Sequence, residues 1–569
     1  MSILCLHICI VSVLLISGGH AVQLHSSELE SSSSILHPSA NVRWSGAPFR
    51  NRTGMGPGRW LKGFLDTPLD HDDTHCAHQA MQRTQSTQDH VEKLVQDSSN
   101  KLCPTVSLPI VARLADVQPA PLGPMLLHCG GPSSGKECIN IFINGTTEFY
   151  GAPRMDSRLL ASYDIIGIDQ RGVQDSRPSV NSIVCFPSNL SDTEQVLAAI
   201  SNRTAVQKEV YNDPKYHYPN GKNFLDYTST RDFAFDLDLL RQSIGAKQLS
   251  IMGFSYGTLV GATYATLFPA HAGRILCLGP VLSTVDASAF SEGTAQAYEG
   301  VLTRVLRLCD KQQGCPAGPD SQKMLIDVLD NVKRGVYSSS DGKTLMETVF
   351  YNYVKEHIRY SVAYYHLLSV VAGISKHDQA TIDEVVAYRP VDNRGLWCDV
   401  GEVGAVSNIH GSDYTSRLGP PEMLGEIERR ARLYPLGGQF EALWYQLALS
   451  GSQSMPRPVR LGDPDIPVLV VGNLYDSATS YKWSASLSNA FPNGQLITFQ
   501  GDGHCMAEAA VGYAREDASQ CQAVLNQFLL EGSIDPSITL CPVHAEPNTT
   551  AEYVPWTWED VDSYSTRKL

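Results

Sequence analysis

Basic residues are in short supply. The 569-residue chain carries 44 Lys and Arg against 59 Asp and Glu, a formal charge of −15, and nowhere gathers its cations into a stripe. A nucleic-acid partner, which needs a Lys/Arg footprint on one face, is therefore not expected. Long apolar runs are missing after the first residues, so no stable membrane insertion is expected from the rest of the chain. No Cys-x-x-Cys is matched by a second one, which leaves a zinc ribbon without ligands. "GMGPG" (54–58) follows no strand pattern and so is no dinucleotide loop. Neither a metal nor an organic cofactor is implied. Repeats and low-complexity blocks are absent too, and 43% hydrophobic with 18% charged residues is the balance of a folded globular protein.

What is present begins with "MSILCLHICIVSVLLISGGHAVQ", an apolar stretch ending in small residues, read as a secretory signal over 1–21. Sequons at Asn51, Asn144, Asn189, Asn202 and Asn548 fit a secreted, extracellular glycoprotein. Of 14 cysteines, Cys5 and Cys9 fall in the leader; the remaining twelve, an even number, suggest disulfides, with Cys309–Cys315 and Cys521–Cys541 near pairs in sequence.

Residues 22–60 show little periodicity and read as an N-terminal segment. Beyond them, "PMLLHCGG", "YDIIGIDQRG", "KQLSIMGF", "GRILCLGPV", "DIPVLVVGN" and "GQLITFQG" are short apolar runs between turn residues, the pattern of parallel strands buried on both faces. "STRDFAFDLDLLRQSIG" alternates with them at helical spacing and closes on glycine. Alternating strands and helices define an α/β fold with a mostly parallel central sheet. The strand signal stops after Val281 and resumes near Ile466. Core segments at 61–281 and 461–545 are accordingly expected to flank a mainly helical cap insertion at 282–460, with a C-terminal tail from 546.

"GFSYG" (253–257) lies between a buried-strand pattern and a helix pattern. A strand that turns sharply into a helix strains the residue between them, and only glycine fits the crowded flanking positions. Ser255 is thus the candidate nucleophile, and the Tyr256 backbone N–H is a candidate oxyanion donor. Its partners follow in the order acid, then histidine: Asp476 after "PVLVVGNLY" and His504 in "GDGHC" after "QLITFQ". A second oxyanion donor is expected from "HCGGPSSG", at Gly131 or Gly130, with Gly131 preferred.

In order along the chain, "FLDTPLDH", "LLHCGGPSSG", "IIGIDQRGVQDSRP", "GFSYGT", "LWCD", "PVLVVGNLYD", "GDGHC" and "CQAVLNQFLLEGSIDPSITLC" resemble the landmarks of secreted tripeptidyl aminopeptidase-like serine peptidases, relatives of prolyl aminopeptidase. The resemblance spans about residues 60–545 and implies an α/β-hydrolase fold with the family's C-terminal region. Departures stand at His128 and Cys129, where the family has Asn-Pro, at Gln174, where it often has glycine, and at "GPVLST", where it has an acidic stretch. "LDHDDTHCAH" crowds potential metal ligands at no standard spacing, and "ERRAR" reads as a solvated helix face.

An exopeptidase must meet its substrate's ammonium with carboxylates, for which Asp399 and Glu402 in "LWCDVGEV" are candidates, Asp399 matching a family landmark. The reading is a secreted serine exopeptidase acting on peptides with free N-termini. A serine carboxypeptidase, or a secreted esterase or lipase with the same triad, is the alternative.

Overall fold

The computed structural model describes residues 41–45, 59–84, 103–144, 155–282, 286–389, 397–401, 403–415, 418–438, 456–462, 466–505, 515–543 and 546–551, with a few isolated positions. The leader, Asn51 and Glu402 lie outside them. Twelve strands occur among the described residues: β1 (Val42–Ser45), β2 (Trp60–Pro68), β3 (Thr105–Arg113), β4 (Pro124–His128), β5 (Asp164–Ile168), β6 (Ser182–Phe186), β7 (Leu249–Phe254), β8 (Ala272–Leu278), β9 (Trp397–Gly401), β10 (Val468–Tyr475), β11 (Gly494–Asp502) and β12 (Leu540–Cys541). Ten form one sheet in the order β1-β2-β3-β5-β4-β7-β8-β10-β11-β12. Pairing is antiparallel from β1 to β5 and parallel from β5 to β12.

Side-chain alternation explains how one apolar run serves two cores. Leu126, Ile251, Ile275 and Val470 face one side of the sheet, against the helices Thr230–Ser243 and Tyr256–Leu267. Their neighbours Leu127, Met252, Leu276 and Val471 face the other, against Gly135–Asn144, Ser157–Ser162 and Arg515–Glu531. The helix Thr230–Ser243 begins on a capping box, in which Ser229 and Asp232 exchange side-chain and backbone hydrogen bonds.

Between β8 and β10 the chain forms helices at Ala287–Lys311, Ser321–Lys333, Glu347–Ile358, Tyr364–Ser375, Gln379–Tyr388, Val403–Asp413 and Pro420–Leu433. They build a core of their own, which also recruits Val184, Phe186, Val196 and Ile200 from the connection between β5 and β7. That connection is tied in by the antiparallel β6–β9 pair and by Cys185–Cys398. The helical layer is therefore assembled from two stretches of chain, a pairing across 213 residues that no local pattern announces.

Five disulfides occur among the described residues: Cys76–Cys103, Cys129–Cys138, Cys185–Cys398, Cys309–Cys315 and Cys521–Cys541. Both pairs suggested by proximity in sequence are bonded. The even count is not exhausted by bridges, because Cys277 and Cys505 are buried free thiols. Burial pushes the Cys277 thiol up to about 12, so it behaves as a small apolar core residue.

One buried ion pair pins the loop after β5 to the body of the fold. Arg171 and Asp236 are both fully buried, and the guanidinium donates to both carboxylate oxygens at 2.6 and 2.7 Å. Its remaining N–H groups donate to the carbonyls of Pro68, Leu69 and Tyr227. The dense "LDHDDTHCAH" segment is absorbed in the same structural work: His71 contacts Asp236, Asp72 pairs with Arg231, and Cys76 is in a disulfide. Burial alone would raise the Asp236 pKa, but Arg171 outweighs it and the net shift is downward. Its stabilisation is present above the carboxylate's unfolded pKa and is lost as pH falls through the lower folded value. Asp236→Asn should cost about 3–5 kcal/mol in urea unfolding, by stranding the arginine's charge. A loss below 1 kcal/mol would show that the pair is dispensable.

Candidate active site

The site is assembled where parallel strands end. β7 stops at Phe254, the next helix starts at Tyr256, and Ser255 between them has φ 52° and ψ −123°. That left-handed value is sparsely populated for a side chain other than glycine. The turn is also crowded: a Cβ on Gly253 would lie 2.2 Å from the Gly257 carbonyl oxygen, and one on Gly257 2.3 Å from that of His128. The Leu278 carbonyl at the end of β8 accepts the Ser255 N–H at 2.9 Å and the Cys505 thiol at 3.3 Å, joining the nucleophile turn to the histidine loop.

Asp476 follows β10 and His504 follows β11. His504 Nδ1 lies 3.0 Å from each carboxylate oxygen of Asp476. The carboxylate also accepts the Ala478 and Thr479 N–H groups and the Thr479 hydroxyl, all at 2.8 Å, and the Cys505 N–H at 3.2 Å. Burial alone would raise the Asp476 pKa; His504 and these donors outweigh it and hold the group ionised. For His504, burial alone would lower the pKa, yet the neighbouring carboxylate raises it well above the ordinary imidazole value. With Nδ1–H directed at Asp476, Nε2 is the nitrogen left to act as base.

Asp476, His504 and Cys505 place donor atoms within 4.8 Å of one another, the proximity a metal site would need. The three groups are instead engaged in hydrogen bonds: the carboxylate with His504 Nδ1 and its other donors, and the thiol with the Leu278 carbonyl, its sulfur 3.8 Å from both ring nitrogens.

The glycine loop after β4 meets Ser255 directly: a Cβ on Gly130 would lie 2.8 Å from Ser255 Cβ. Both Gly130 and Gly131 have positive φ, 95° and 101°. The Gly130 N–H is given to His128 Nδ1 at 3.2 Å, which leaves Gly131 as the candidate donor of the two glycines. The departures in this region now have physical reasons. His128 is buried, held neutral at about 4 chiefly by burial, and restrains the loop; Cys129 bonds Cys138. Gln174 sits at φ 39°, in the region that favours the family's glycine, and its amide donates to Glu137.

Of the candidate acids of the insertion, Glu402 lies outside the described residues and Asp399 lies in β9, in register with Val184 of β6. Sequence reasoning missed Glu356, near the end of Glu347–Ile358 and 3.7 Å from Arg359. At Arg359 the insertion touches the histidine loop, since its carbonyl accepts the His504 main-chain N–H at 2.9 Å. It missed Asp413 and His410 as well, on the helix Val403–Asp413, which reach the oxyanion loop and Tyr256. Only contacts across the fold distinguish these residues from other polar residues on helices.

Residues 123–332 match the α/β hydrolase fold family, and residues 445–541 match the TAP-like protein family. The chain is a serine hydrolase of the α/β-hydrolase fold. Within that class its C-terminal part is similar to the TAP-like proteins. Serine protease Hip1 of Mycobacterium tuberculosis is 25% identical over 457 residues, covering 74% of this chain and 81% of that protein. Tripeptidyl aminopeptidase of Streptomyces coelicolor is 23% identical over 401 residues, covering 68% and 71%. Carboxylesterase B of Mycobacterium tuberculosis is 25% identical over 480 residues, covering 77% and 86%.

Two outcomes follow for the site. Ser255→Ala should keep the wild-type circular dichroism spectrum while ester and peptide turnover fall to the residue left by binding and the oxyanion donors, about 10³-fold over water; activity within tenfold of wild type would remove Ser255 from the mechanism. Because His504 must be neutral to accept a proton and its pKa is raised, kcat/KM should fall on acidification through a value above the ordinary imidazole 6.5. A limb at or below 6.5 in a pH–rate profile would contradict the Asp476–His504 coupling.

Proposed function

We propose that this chain is a secreted serine exopeptidase that removes short peptides or residues from free N-termini by acyl transfer. Ser255 Oγ attacks the scissile carbonyl as His504 Nε2 takes its proton, and Asp476 holds the imidazole tautomer and the imidazolium. The Tyr256 and Gly131 N–H groups receive the developing oxyanion. His504 then protonates the leaving amine, and water, activated by the same histidine, releases the acyl group.

The observation that carries the exopeptidase reading is the hydrogen bond from the His504 main-chain N–H to the Arg359 carbonyl. It brings the insertion against the catalytic base, where it can close one end of an otherwise open sheet edge. Glu356, beside Arg359, and Asp399, on β9 of the same insertion, are the acids proposed to meet the ammonium. Secretion accords with the apolar leader and the disulfides, and no described helix is long and apolar enough to cross a membrane. Of the sequons, Asn202 and Asn548 are exposed, Asn189 is half-buried in a turn with its Oδ1 accepting the Ser191 N–H, and Asn144 ends a helix; the exposed pair are the sites proposed to carry glycan. The carboxylesterase relative keeps an ester substrate as the second reading.

Tripeptide anilides with free and acetylated N-termini, a peptide with a free C-terminus and a small neutral ester separate the classes. The free-amine anilides should be preferred. Asp399→Asn or Glu356→Gln should slow them by about 10- to 150-fold in kcat/KM, the worth of a charge-assisted contact, while sparing the ester. Indifference to acetylation overturns the aminopeptidase reading; preference for the free C-terminus favours a carboxypeptidase.

A further inference from the structure

Tyr256 has two separable parts. Its N–H is the proposed oxyanion donor, whereas its side chain is buried, 1% exposed, and reaches the insertion. There the phenol meets Asp413, the last residue of the helix Val403–Asp413, at 3.0 Å. Asp413 Oδ2 also accepts the Thr230 hydroxyl at 2.6 Å, and Oδ1 accepts the Thr230 N–H at 2.8 Å. The Thr230 hydroxyl in turn contacts the Tyr256 hydroxyl, to which Gln170 donates its amide at 3.2 Å. Asp413 is 2% exposed, Thr230 2% and Gln170 0%.

Counting protons gives this cluster a direction. Gln170 Nε2, Tyr256 and Thr230 all have a hydrogen to give, and the carboxylate is the one group that can only accept. Whichever of the two hydroxyls bonds first, the chain of donors ends on Asp413. Burial pushes its pKa up to about 6 against the opposing Thr230 and Tyr256 hydrogen bonds, so above that pH it is the acceptor the cluster requires. A second contact from the same helix acts alongside: the His410 ring lies edge-on to Tyr256, with centroids 5.2 Å apart, and hydrogen-bonds the Gly131 backbone. One helix of the insertion thus touches both oxyanion donors from behind.

We propose that Asp413 is a positioning residue for the acyl-transfer reaction: by anchoring the Tyr256 phenol and Thr230 it fixes the backbone N–H of residue 256 at the oxyanion, making the insertion part of the catalytic machinery. Anchoring the tip of a long, rigid side chain removes rotation at the first residue of its helix, and a fixed N–H costs no reorganisation when charge develops. The proposal rests on the serine-hydrolase reading of Ser255 and is independent of whether the preferred substrate is a peptide or an ester.

The test uses the full chain with Asp413→Ala, Tyr256→Phe and the double variant. Stoichiometric labelling by a fluorophosphonate checks Ser255 in the wild type; no labelling there overturns the reading of Ser255 and this proposal with it. On a small neutral ester, each single variant should lose about 10- to 100-fold in kcat with KM within threefold. Affinity for a boronic acid, whose tetrahedral adduct places an oxygen at the oxyanion position, should fall by the same factor. The double variant should be no worse than the more damaged single one, because both remove the same anchor. A merely structural role would alter thermal stability without this parallel. Should Asp413→Ala fail to fold, Tyr256→Phe, which deletes one oxygen, decides the matter alone. Unchanged kcat and boronate affinity, or losses confined to KM, overturn the proposal.

Discussion

The arrangement depends on one steric constraint, the abrupt turn from β7 into the helix that follows. Ser255 is held at φ 52°, and the turn closes only because Gly253 leaves room for the Gly257 carbonyl and Gly257 for that of His128. Such a conformation persists when its surroundings over-determine it. Here β4 and β8 flank β7 on either side in parallel register, and the Leu278 carbonyl takes the Ser255 N–H. The strained residue stands at the end of the sheet's central strands, and the other groups are brought to it on the ends of β4, β10 and β11.

Buried charge is the second organising principle. Asp476 and His504, Arg171 and Asp236, and Asp413 with its donors all lie away from water, where an unpaired ion costs several kcal/mol. In each case the compensating groups are numerous and fixed. His128 and His410 follow the opposite course, both held neutral at about 4 chiefly by burial. As neutral rings they brace the glycine loop without adding a cation beside the oxyanion, whose charge is left to oriented N–H groups.

The insertion is more than a cover. It bonds the histidine loop through Arg359 and approaches the oxyanion donors through His410 and Asp413. Because it also incorporates β6 and the helix Thr193–Asn212, its position is set from both halves of the hydrolase core and locked by Cys185–Cys398. A change in its placement would register at the chemistry, and not just at the entrance.

The sequence by itself determined the sheet and the points where chemistry emerges from it. Strands buried on both faces must be continuously apolar, so β4, β5, β7, β8, β10 and β11 were legible, and Ser255, Asp476 and His504 could be placed at their ends. What only the tertiary structure decided are the relations among residues with no shared period: which glycine gives its N–H to His128, which cysteines stay outside the disulfides, and which insertion residues approach the glycine loop and the histidine loop. Gly130 and Gly131 are adjacent and chemically identical, and the difference arises from His128 Nδ1 folding back onto one of them. Cys505 reads like any secreted cysteine until its sulfur is seen 3.8 Å from both nitrogens of the His504 ring. Asp413 ends an unremarkable helix, and its significance comes from lying 157 residues from Tyr256 in the chain and 3.0 Å from its phenol in space. Periodicity encodes what a segment buries, whereas the partner a polar atom meets is set by how distant segments close on one another.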